Sequence, residues 1–330
     1  MYKVTFAFLS NVSFSRLGNE HPVPRVLARN FSSSSALQNT VKNVTVIGGG
    51  LMGSGIAQVA AQAGQNVTLV DVSSDVLAKA QKSIGNNLSR VAKKVYKDKP
   101  AEGEKFVSES LARIKTATDP VKAVAAADLV VEAIVENLSV KHQLFQKLDE
   151  AAPAHTILAS NTSSLSINDI ASVVKRKDKF GGLHFFNPVP VMRLLEVVRG
   201  AETSDATYKT MMDWGKSVGK TCITCKDTPG FVVNRLLVPY IAEAVRLFER
   251  GDASARDIDI AMKLGAGYPM GPLELADYVG LDTTKFILDG WHKKYPQETL
   301  FKPIPMVDKL VAEGKLGVKT GEGFYKYEKK

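Results

Sequence analysis

The sequence predicts an α/β protein with a doubly wound, mostly parallel sheet of the Rossmann type, followed by an all-helical domain. Three observations support this fold class. A glycine-rich turn joins a short apolar strand to a helix near residue 48. Strand-like and helix-like segments then alternate up to about residue 226, which is typical of parallel sheets with crossover helices. After residue 228 strand signals become rare and helical periodicity dominates.

The first predicted unit is a strand, a glycine turn, a helix and a second strand. The apolar run Val44–Ile47 leads into a GxGxxG turn, and a strand at Asn66–Val70 follows the helix. In such a turn the first glycine permits the tight bend, the second lets the backbone approach a pyrophosphate, and the third lets helix and strand pack closely. An ordinary βα turn needs no such set of glycines. The predicted dinucleotide-binding residues of this turn are Gly48, Gly49, Gly50, Leu51, Met52 and Gly53.

Asp71 indicates which dinucleotide is bound. It lies 21 positions after Gly50, where a carboxylate can bind both ribose hydroxyls. A carboxylate there repels a 2′-phosphate, and residues 72–75 contain no arginine that could receive one. NAD is therefore favoured over NADP, while FAD, which uses the same turn, stays an alternative.

The rest of the first domain is predicted from strand and helix periodicity. A helical region from Ser74 to about Ala112, with a break near Pro100–Gly103, is longer than a minimal crossover and predicts a helical hairpin inserted in the domain. The helices Ser139–Ala152 and Asp205–Val218 are predicted between later strands. The further predicted strands are Arg113–Thr116, Leu129–Val135, Thr156–Ala159, Phe180–Phe185, Leu194–Val198 and Thr221–Cys225.

The composition changes at Asp227–Gly230, which places a domain boundary near residue 228. We expect a nucleotide-binding domain over residues 40–227 and a helical domain over residues 228–330. Apolar residues on several faces of the second domain predict that it packs on a partner. Its predicted helices are Phe231–Arg250, with a kink at Pro239, Ala255–Lys263, Pro272–Val279 and Thr283–Lys293.

Residues 1–35 are predicted to be a mitochondrial transit peptide, because they are rich in arginine and serine and contain one acid, Glu20. A disordered start is the alternative.

Elsewhere, the apolar stretches are too short to span a membrane. The net charge of +9 is spread along the chain without a nucleic-acid motif, which favours a polyanionic small substrate or a merely basic surface. Cys222 and Cys225 lie within a predicted strand, so inert thiols are expected rather than a redox pair or a metal site.

Two segments carry candidate chemistry. His184 ends one predicted strand and Glu196 lies on the next, and a proline-rich turn between them can bring carboxylate and imidazole together. A histidine oriented in this way can accept a hydroxyl proton during hydride transfer, although a structural histidine is the alternative. Ser160–Ser164 follows another strand at the carboxyl side of the sheet. Its hydroxyls could hold a substrate oxygen or cap the helix that starts near Ile167.

Over residues 40–330 the chain resembles the mitochondrial short-chain L-3-hydroxyacyl-CoA dehydrogenases. The motifs that carry the resemblance are IGGGLMGSGIAQ from Ile47, VVEAIVEN from Val130, SNTSSL from Ser160, LHFFNPVPVMRLLEV from Leu183, DTPGFVVNRLLVPY from Asp227, GYPMGPLELADYVGLD from Gly267 and KTGEGFYKY from Lys319. The resemblance implies NAD-dependent oxidation of L-3-hydroxyacyl-CoA to 3-ketoacyl-CoA in fatty acid β-oxidation. It also implies a homodimer in the mitochondrial matrix, formed through the helical domain.

The resemblance further assigns roles to individual residues. It implies that His184 is the general base, that Glu196 orients it, and that Ser163 and Asn234 lie around the reacting oxygen. The implied additional NAD contacts are Glu136, Lys141, Ser163 and Lys319, and the implied coenzyme A contacts are Asn87, Lys94 and Ser163. Oxidation of a free hydroxy acid and a crystallin-like structural role are the competing hypotheses. The basic hairpin favours the CoA ester over the former, and the intact catalytic residues disfavour the latter.

Overall fold

The computed structural model describes residues 41–328, so the predicted transit peptide, residues 1–35, lies outside the described residues. Within these residues, eight strands form one sheet in the order β3-β2-β1-β4-β5-β6-β7-β8. The strands are β1 Asn43–Ile47, β2 Asn66–Val70, β3 Ile114–Ala117, β4 Leu129–Glu132, β5 Ile157–Ser160, β6 Phe180–Phe185, β7 Leu194–Arg199 and β8 Thr221–Lys226. The strand order reverses between β1 and β4, as in doubly wound sheets. The predicted fold class is confirmed.

Strand direction changes once in the sheet. All neighbouring strands are parallel except β6 and β7, which are antiparallel. Strands β4, β5 and β6 are buried along their whole length, which explains their continuous apolar runs. The predicted strand Leu129–Val135 is three residues too long. The physical reason is that the Glu132 carboxylate accepts a hydrogen bond from the backbone N–H of Ile134, at 2.7 Å, which turns the chain out of the sheet.

Seven helices accompany the strands in the described part of this domain. They are α1 Leu51–Gln62, α2 Ser74–Val95, α3 Pro100–Ala112, α4 Pro120–Ala123, α5 Leu138–Ala151, α6 Ile167–Ala171 and α7 Asp205–Ser217. Helices α2 and α3 form the predicted hairpin, with the rings of Tyr96 and Phe106 in contact at 5.6 Å. The predicted break at Pro100–Gly103 was misplaced. Pro100 begins α3, where its missing N–H costs no hydrogen bond, and the break covers residues 96–99.

Residues 228–328 are mostly helical. The helices are α8 Val233–Glu249, α9 Ala255–Gly265, α10 Pro272–Val279, α11 Leu281–Lys294 and α12 Pro305–Ala312. Helix α8 continues through Pro239, and α12 was not predicted, although Pro305 is a good start signal at the first helical position. No helix within residues 41–328 is long and apolar enough to cross a membrane.

The described chain divides into two compact units. One contains residues 41–162 and 167–227, and therefore the whole sheet. The other contains residues 163–166 and 228–328, and therefore helices α8 to α12. The short segment 163–166 thus groups with the helical unit although it follows β5 in the chain. Sequence composition gave no sign of this, because the segment is too short to have a core of its own.

Candidate active site

The glycine turn after β1 has the geometry that a dinucleotide needs. Gly48 has φ +111°, and a Cβ there would lie 2.4 Å from the carbonyl oxygen of Ala133. A Cβ on Gly53 would lie 1.8 Å from the carbonyl oxygen of Gly48. The protein's own backbone therefore requires both outer glycines. The middle glycine, Gly50, caps α1, and a Cβ on it would meet no protein atom within 4 Å, which leaves room for a phosphate at the helix N-terminus.

Asp71 is held against this turn. It follows β2, and its Oδ2 accepts a hydrogen bond from the backbone N–H of Gly49 at 2.8 Å. Its Oδ1 accepts one from the N–H of Ser73 at 3.0 Å. The half-buried carboxylate is thereby fixed beside the glycine turn, while each oxygen keeps a further lone pair for a ribose hydroxyl. The residues present therefore fit an adenine dinucleotide.

His184 and Glu196 form a buried pair across the antiparallel strands. They are register partners on β6 and β7, and His184 Nδ1 lies 2.6 Å from Glu196 Oε2. Glu196 is fully buried and His184 is 4% exposed. A carboxylate on Nδ1 places the proton there in the neutral imidazole, so that the lone pair lies on Nε2. The predicted meeting of imidazole and carboxylate is therefore present, and the ring is oriented as a proton acceptor.

The loop between these two strands is held by a buried lysine that the sequence did not indicate. Lys220 Nζ donates hydrogen bonds to the carbonyl oxygens of Val189 and Met192, the latter at 2.8 Å. Burial lowers the pKa of Lys220 to about 8. Helix α1 also packs closely on this loop, because a Cβ on Gly55 would lie 2.7 Å from the Cβ of Val189. The loop after His184 is therefore fixed from two sides.

A second buried charge group lies at the carboxyl ends of β4 and β5. We call Glu132, Glu136 and Lys141 the carboxylate–lysine cluster. Lys141 Nζ lies 2.5 Å from Glu132 Oε1 and 3.2 Å from Glu136 Oε2. The hydroxyl of Ser160 donates to Glu132 at 2.6 Å, and that of Thr162 donates to Glu136 at 2.5 Å. Glu132 was missed from the sequence, although an acid at the end of an apolar strand is an unusual enough signal to have marked it.

The serine- and threonine-rich segment after β5 was predicted either to hold a substrate oxygen or to cap a helix. Two of its hydroxyls, those of Ser160 and Thr162, bind the carboxylates of the cluster. At the start of α6, the backbone N–H groups of Ile167 and Asn168 instead donate to Asp227, each at 2.9 Å. A carboxylate 60 residues away in the chain therefore supplies these bonds, which no local motif could reveal.

The helical unit contains the predicted contacts Ser163, Asn234 and Lys319. Asn234 is buried on α8, and its side-chain amide donates to the carbonyl oxygen of Ser163 at 3.2 Å. Lys319 forms an ion pair with Asp282. The segment that follows is held by buried Asp277, which accepts hydrogen bonds from the N–H groups of residues 324 and 325, each at 2.9 Å. The structure thus brings Ser163 and Asn234 together and fixes the position of Lys319 within this unit.

Two of the predicted coenzyme A contacts lie on α2, and the third, Ser163, lies in the helical unit. Asn87 and Lys94 are seven residues apart, which places them on the same face of the helix. Lys94 is exposed and Asn87 is half-buried.

The two cysteines are half-buried and form no disulfide, and burial raises the pKa of Cys222 to about 11 and that of Cys225 to about 12. Both thiols are therefore protonated near neutral pH, in agreement with the predicted inert role.

Comparison with known proteins gives the class of this site. Residues 43–228 match the family model described as "3-hydroxyacyl-CoA dehydrogenase, NAD binding domain", and residues 230–327 match "3-hydroxyacyl-CoA dehydrogenase, C-terminal domain". These matches define an NAD-dependent oxidoreductase. The chain belongs to the 3-hydroxyacyl-CoA dehydrogenase family, as its sequence motifs predicted, and its cofactor is NAD.

Individual relatives agree with this assignment over almost the whole chain. Hydroxyacyl-coenzyme A dehydrogenase, mitochondrial, of Sus scrofa is 60% identical over 309 residues, covering 92% of this chain and 98% of the relative. The Homo sapiens protein of the same description is 60% identical, with coverage of 90% and 95%. Among solved structures, (S)-3-hydroxybutyryl-CoA dehydrogenase from Ralstonia eutropha is 41% identical with a TM-score of 0.83, covering 88% of this chain and all of that one.

Proposed function

We propose that this protein oxidises the 3-hydroxyl group of L-3-hydroxyacyl-CoA to a ketone in fatty acid β-oxidation, with His184 as general base and Glu196 as its orienting partner. The observation that carries the proposal is the buried His184–Glu196 pair, with 2.6 Å between Nδ1 and Oε2. A carboxylate in this position fixes both the tautomer and the direction of the ring. The family assignment supplies the substrate class, and the pair supplies the chemistry.

Oxidation removes a proton and a hydride from the substrate. The hydroxyl proton passes to Nε2 of His184, while the hydrogen on C3 leaves as hydride. NAD⁺, when bound, supplies the acceptor for that hydride. The imidazolium that forms is stabilised by Glu196, and the buried setting of both groups strengthens this interaction. The electron pair of the broken O–H bond becomes the second C3–O bond of the ketone, so that electrons and protons balance.

The proposed cofactor contacts fall into two sets. Residues Gly48 to Gly53 hold the pyrophosphate, and Asp71 holds the adenosine ribose, a role supported by the open space at Gly50 and by the Asp71–Gly49 contact. The remaining proposed contacts follow the family motifs and are Glu136, Lys141, Ser163 and Lys319.

The proposed substrate contacts also fall into two sets. Ser163 and Asn234 bind the reacting end of the acyl group, supported by their hydrogen bond within the helical unit. Asn87, Lys94 and Ser163 bind the coenzyme A portion. Exposed Lys94 and its neighbour Lys93 give α2 a basic end that suits a phosphate-rich ligand.

We further propose the mitochondrial matrix as the location and a homodimer as the assembly. The composition of residues 1–35 and the word "mitochondrial" in the relatives' descriptions support the location. Large apolar side chains exposed in the helical unit support the assembly: Leu236 is 69%, Leu264 83% and Phe286 53% exposed. The proposed domain limits are residues 40–227 and 228–330.

Initial rates of NADH formation test the substrate class. We expect the full-length protein to oxidise L-3-hydroxybutyryl-CoA and to leave both its D isomer and free L-3-hydroxybutyrate almost unchanged. Lys94→Gln should raise KM for the CoA ester and leave kcat similar. Lys82→Gln, an exposed lysine on another face of α2, is the matched control and should change neither. Equal rates with the free acid would contradict the proposed substrate class.

A further inference from the structure

Glu132 lies where a doubly wound sheet binds its ligand. It is the last residue of β4, and its register partners are Ile47 on β1 and Ser160 on β5. The strand order reverses between β1 and β4, and ligands of such sheets bind outside the carboxyl ends of the strands at this reversal. The next residue, Ala133, places its carbonyl oxygen against Gly48 of the nucleotide turn. Glu132 is therefore adjacent to the cofactor crevice without being exposed to it.

The Glu132 carboxylate accepts three hydrogen bonds, which fix its position. Oε1 accepts hydrogen bonds from Lys141 Nζ at 2.5 Å and from the N–H of Ile134 at 2.7 Å. Oε2 accepts one from Ser160 at 2.6 Å. Glu132 is fully buried, whereas the Glu136 side chain, 3.2 Å from the same ammonium group, is 12% exposed. Lys141 thus bridges an interior carboxylate and one that reaches the surface.

The carboxylate–lysine cluster has more negative than positive charge. Two carboxylates contact one ammonium group, so the formal charge of these three side chains together is −1. Burial by itself would lower the pKa of Lys141, but the two carboxylates raise it, so the lysine stays protonated. Buried ion pairs contribute little net stability compared with apolar residues of similar volume, because desolvation offsets their attraction. Stability alone therefore does not account for a second carboxylate here.

The topology indicates which half of the dinucleotide this charge faces. Asp71 ends β2, on the other side of β1 from β4, and in the proposed function it binds the adenosine ribose. A dinucleotide spans the crevice across the reversal, so its nicotinamide half lies on the β4 side. The nicotinamide ring is cationic in NAD⁺ and neutral in NADH. A fixed negative charge on this side stabilises the oxidised form selectively.

We propose that Glu132 is a positioning residue that adds a negative charge to the carboxylate–lysine cluster and thereby lowers the ratio Kd(NAD⁺)/Kd(NADH) of the site. The proposal rests on the proposed function for the orientation of the cofactor. Glu132 acts through Lys141, whose ammonium group it shares with Glu136. Glu132 does not act as a base itself, because its carboxylate is enclosed by its three donors.

The test is the ratio of two dissociation constants, measured on the full-length protein without acyl-CoA and without turnover. Titration calorimetry gives Kd for NAD⁺ and for NADH in wild type and in Glu132→Gln. We expect the ratio Kd(NAD⁺)/Kd(NADH) to rise about 3- to 10-fold in the variant, since a unit charge at a partly screened site has been removed. A general loosening of the fold would weaken both ligands and leave the ratio unchanged.

Two further variants separate charge from packing. Ser160→Ala removes a hydrogen bond to Glu132 without changing charge, so its ratio should stay within about twofold of wild type. The double variant Glu132→Gln with Lys141→Met returns the formal charge to −1, and its ratio should return toward that of wild type. If Glu132→Gln does not fold, Lys141→Met alone, with formal charge −2, should lower the ratio.

The outcomes distinguish this inference from the function on which it rests. A folded Glu132→Gln with an unchanged ratio, or a Lys141→Met whose ratio does not fall, overturns the role of Glu132. In that case the wild-type protein would still bind NAD⁺ and oxidise L-3-hydroxyacyl-CoA. A wild-type protein that binds neither NAD⁺ nor NADH overturns the proposed function and this inference together.

Discussion

The two buried charge groups at the carboxyl edge of the sheet balance their charges in different ways. His184–Glu196 joins one carboxylate to an imidazole, which can accept and release a proton. The carboxylate–lysine cluster joins two carboxylates to one ammonium group that stays protonated. In the proposed mechanism the first group changes its charge in every turnover and the second keeps its charge throughout. Burial of an acid therefore does not show whether it takes part in proton transfer; the chemistry of its partner does.

The largest expected effect is at the proton acceptor. His184→Gln should lower kcat by about 10²- to 10⁴-fold, the usual contribution of a general base, while Kd for NADH changes little. His155→Gln is the matched control, because His155 also contacts a carboxylate, Asp128 at 3.1 Å, but its side chain is 63% exposed. Steady-state rates and NADH titration check both variants. Near-normal kcat in His184→Gln would place the proton acceptor elsewhere and remove the contrast between the two groups.

In the carboxylate–lysine cluster, removal of the central charge should reduce the stability of the protein. Lys141→Met leaves two buried or nearly buried carboxylates without their cation, and we expect the free energy of unfolding to fall by about 3–5 kcal/mol. Denaturant unfolding followed by circular dichroism measures this change. The double variant with Glu132→Gln should recover part of the loss, because one uncompensated charge is removed. A double variant no more stable than Lys141→Met would show that packing, not charge, explains the loss.

A smaller kinetic effect should follow from removing the orienting carboxylate. Glu196→Gln should also lower kcat, but by less than His184→Gln, because the amide stabilises the imidazolium less and permits the other tautomer while the imidazole itself is retained. Glu202→Gln, in which the altered side chain is 65% exposed, is the control and should leave kcat within about twofold of wild type. Stopped-flow measurement of the first turnover distinguishes the chemical step from product release. An unchanged rate of hydride transfer in Glu196→Gln would argue that Glu196 has only a structural role.

The smallest effect concerns Lys220, which holds the loop between His184 and Glu196. Burial lowers its pKa to about 8 in the folded protein from the ordinary lysine value of 10.5, so the unfolded chain binds this proton more tightly. The protonated Lys220 therefore lowers the stability of the folded protein. This loss of stability is complete below about pH 8 and decreases as pH rises toward about 10.5. Wild type should therefore gain about 1–2 kcal/mol of stability relative to Lys220→Met between about pH 7.5 and about pH 9.5.

Urea unfolding of both proteins across this pH range makes the measurement. Lys216→Met is the control, since the Lys216 side chain is 61% exposed and its replacement should give a difference that does not depend on pH. If the stability difference between wild type and Lys220→Met is equally independent of pH, the Lys220 ammonium group stays protonated on its two carbonyl acceptors. The loop after His184 would then be held by charge over the whole range.

The sequence by itself determined the features that depend on local chain geometry. The glycine turn could be assigned because Gly48 and Gly53 are required by contacts with backbone close to the turn, and Asp71 lies at a fixed distance along the same βαβ unit. Alternating strand and helix periods predicted the parallel sheet. The pairing of His184 with Glu196 was also predictable, because a short connection between two strands allows an antiparallel return. In each case the partners are close in the chain or share one supersecondary unit.

Only the tertiary structure decided which buried polar groups meet across the sheet. Glu132 meets Ser160 because β4 and β5 are neighbours in one register, and a shift of one residue would turn its carboxylate to the other face. Lys141 reaches the same carboxylate from helix α5. Asp227 bonds the start of α6 from 60 residues away. Burial makes such bonds obligatory, since an unsatisfied interior charge or donor is costly, but it does not specify the partner. The packing of the sheet selects the partner, and the periodicity of one chain segment does not predict it.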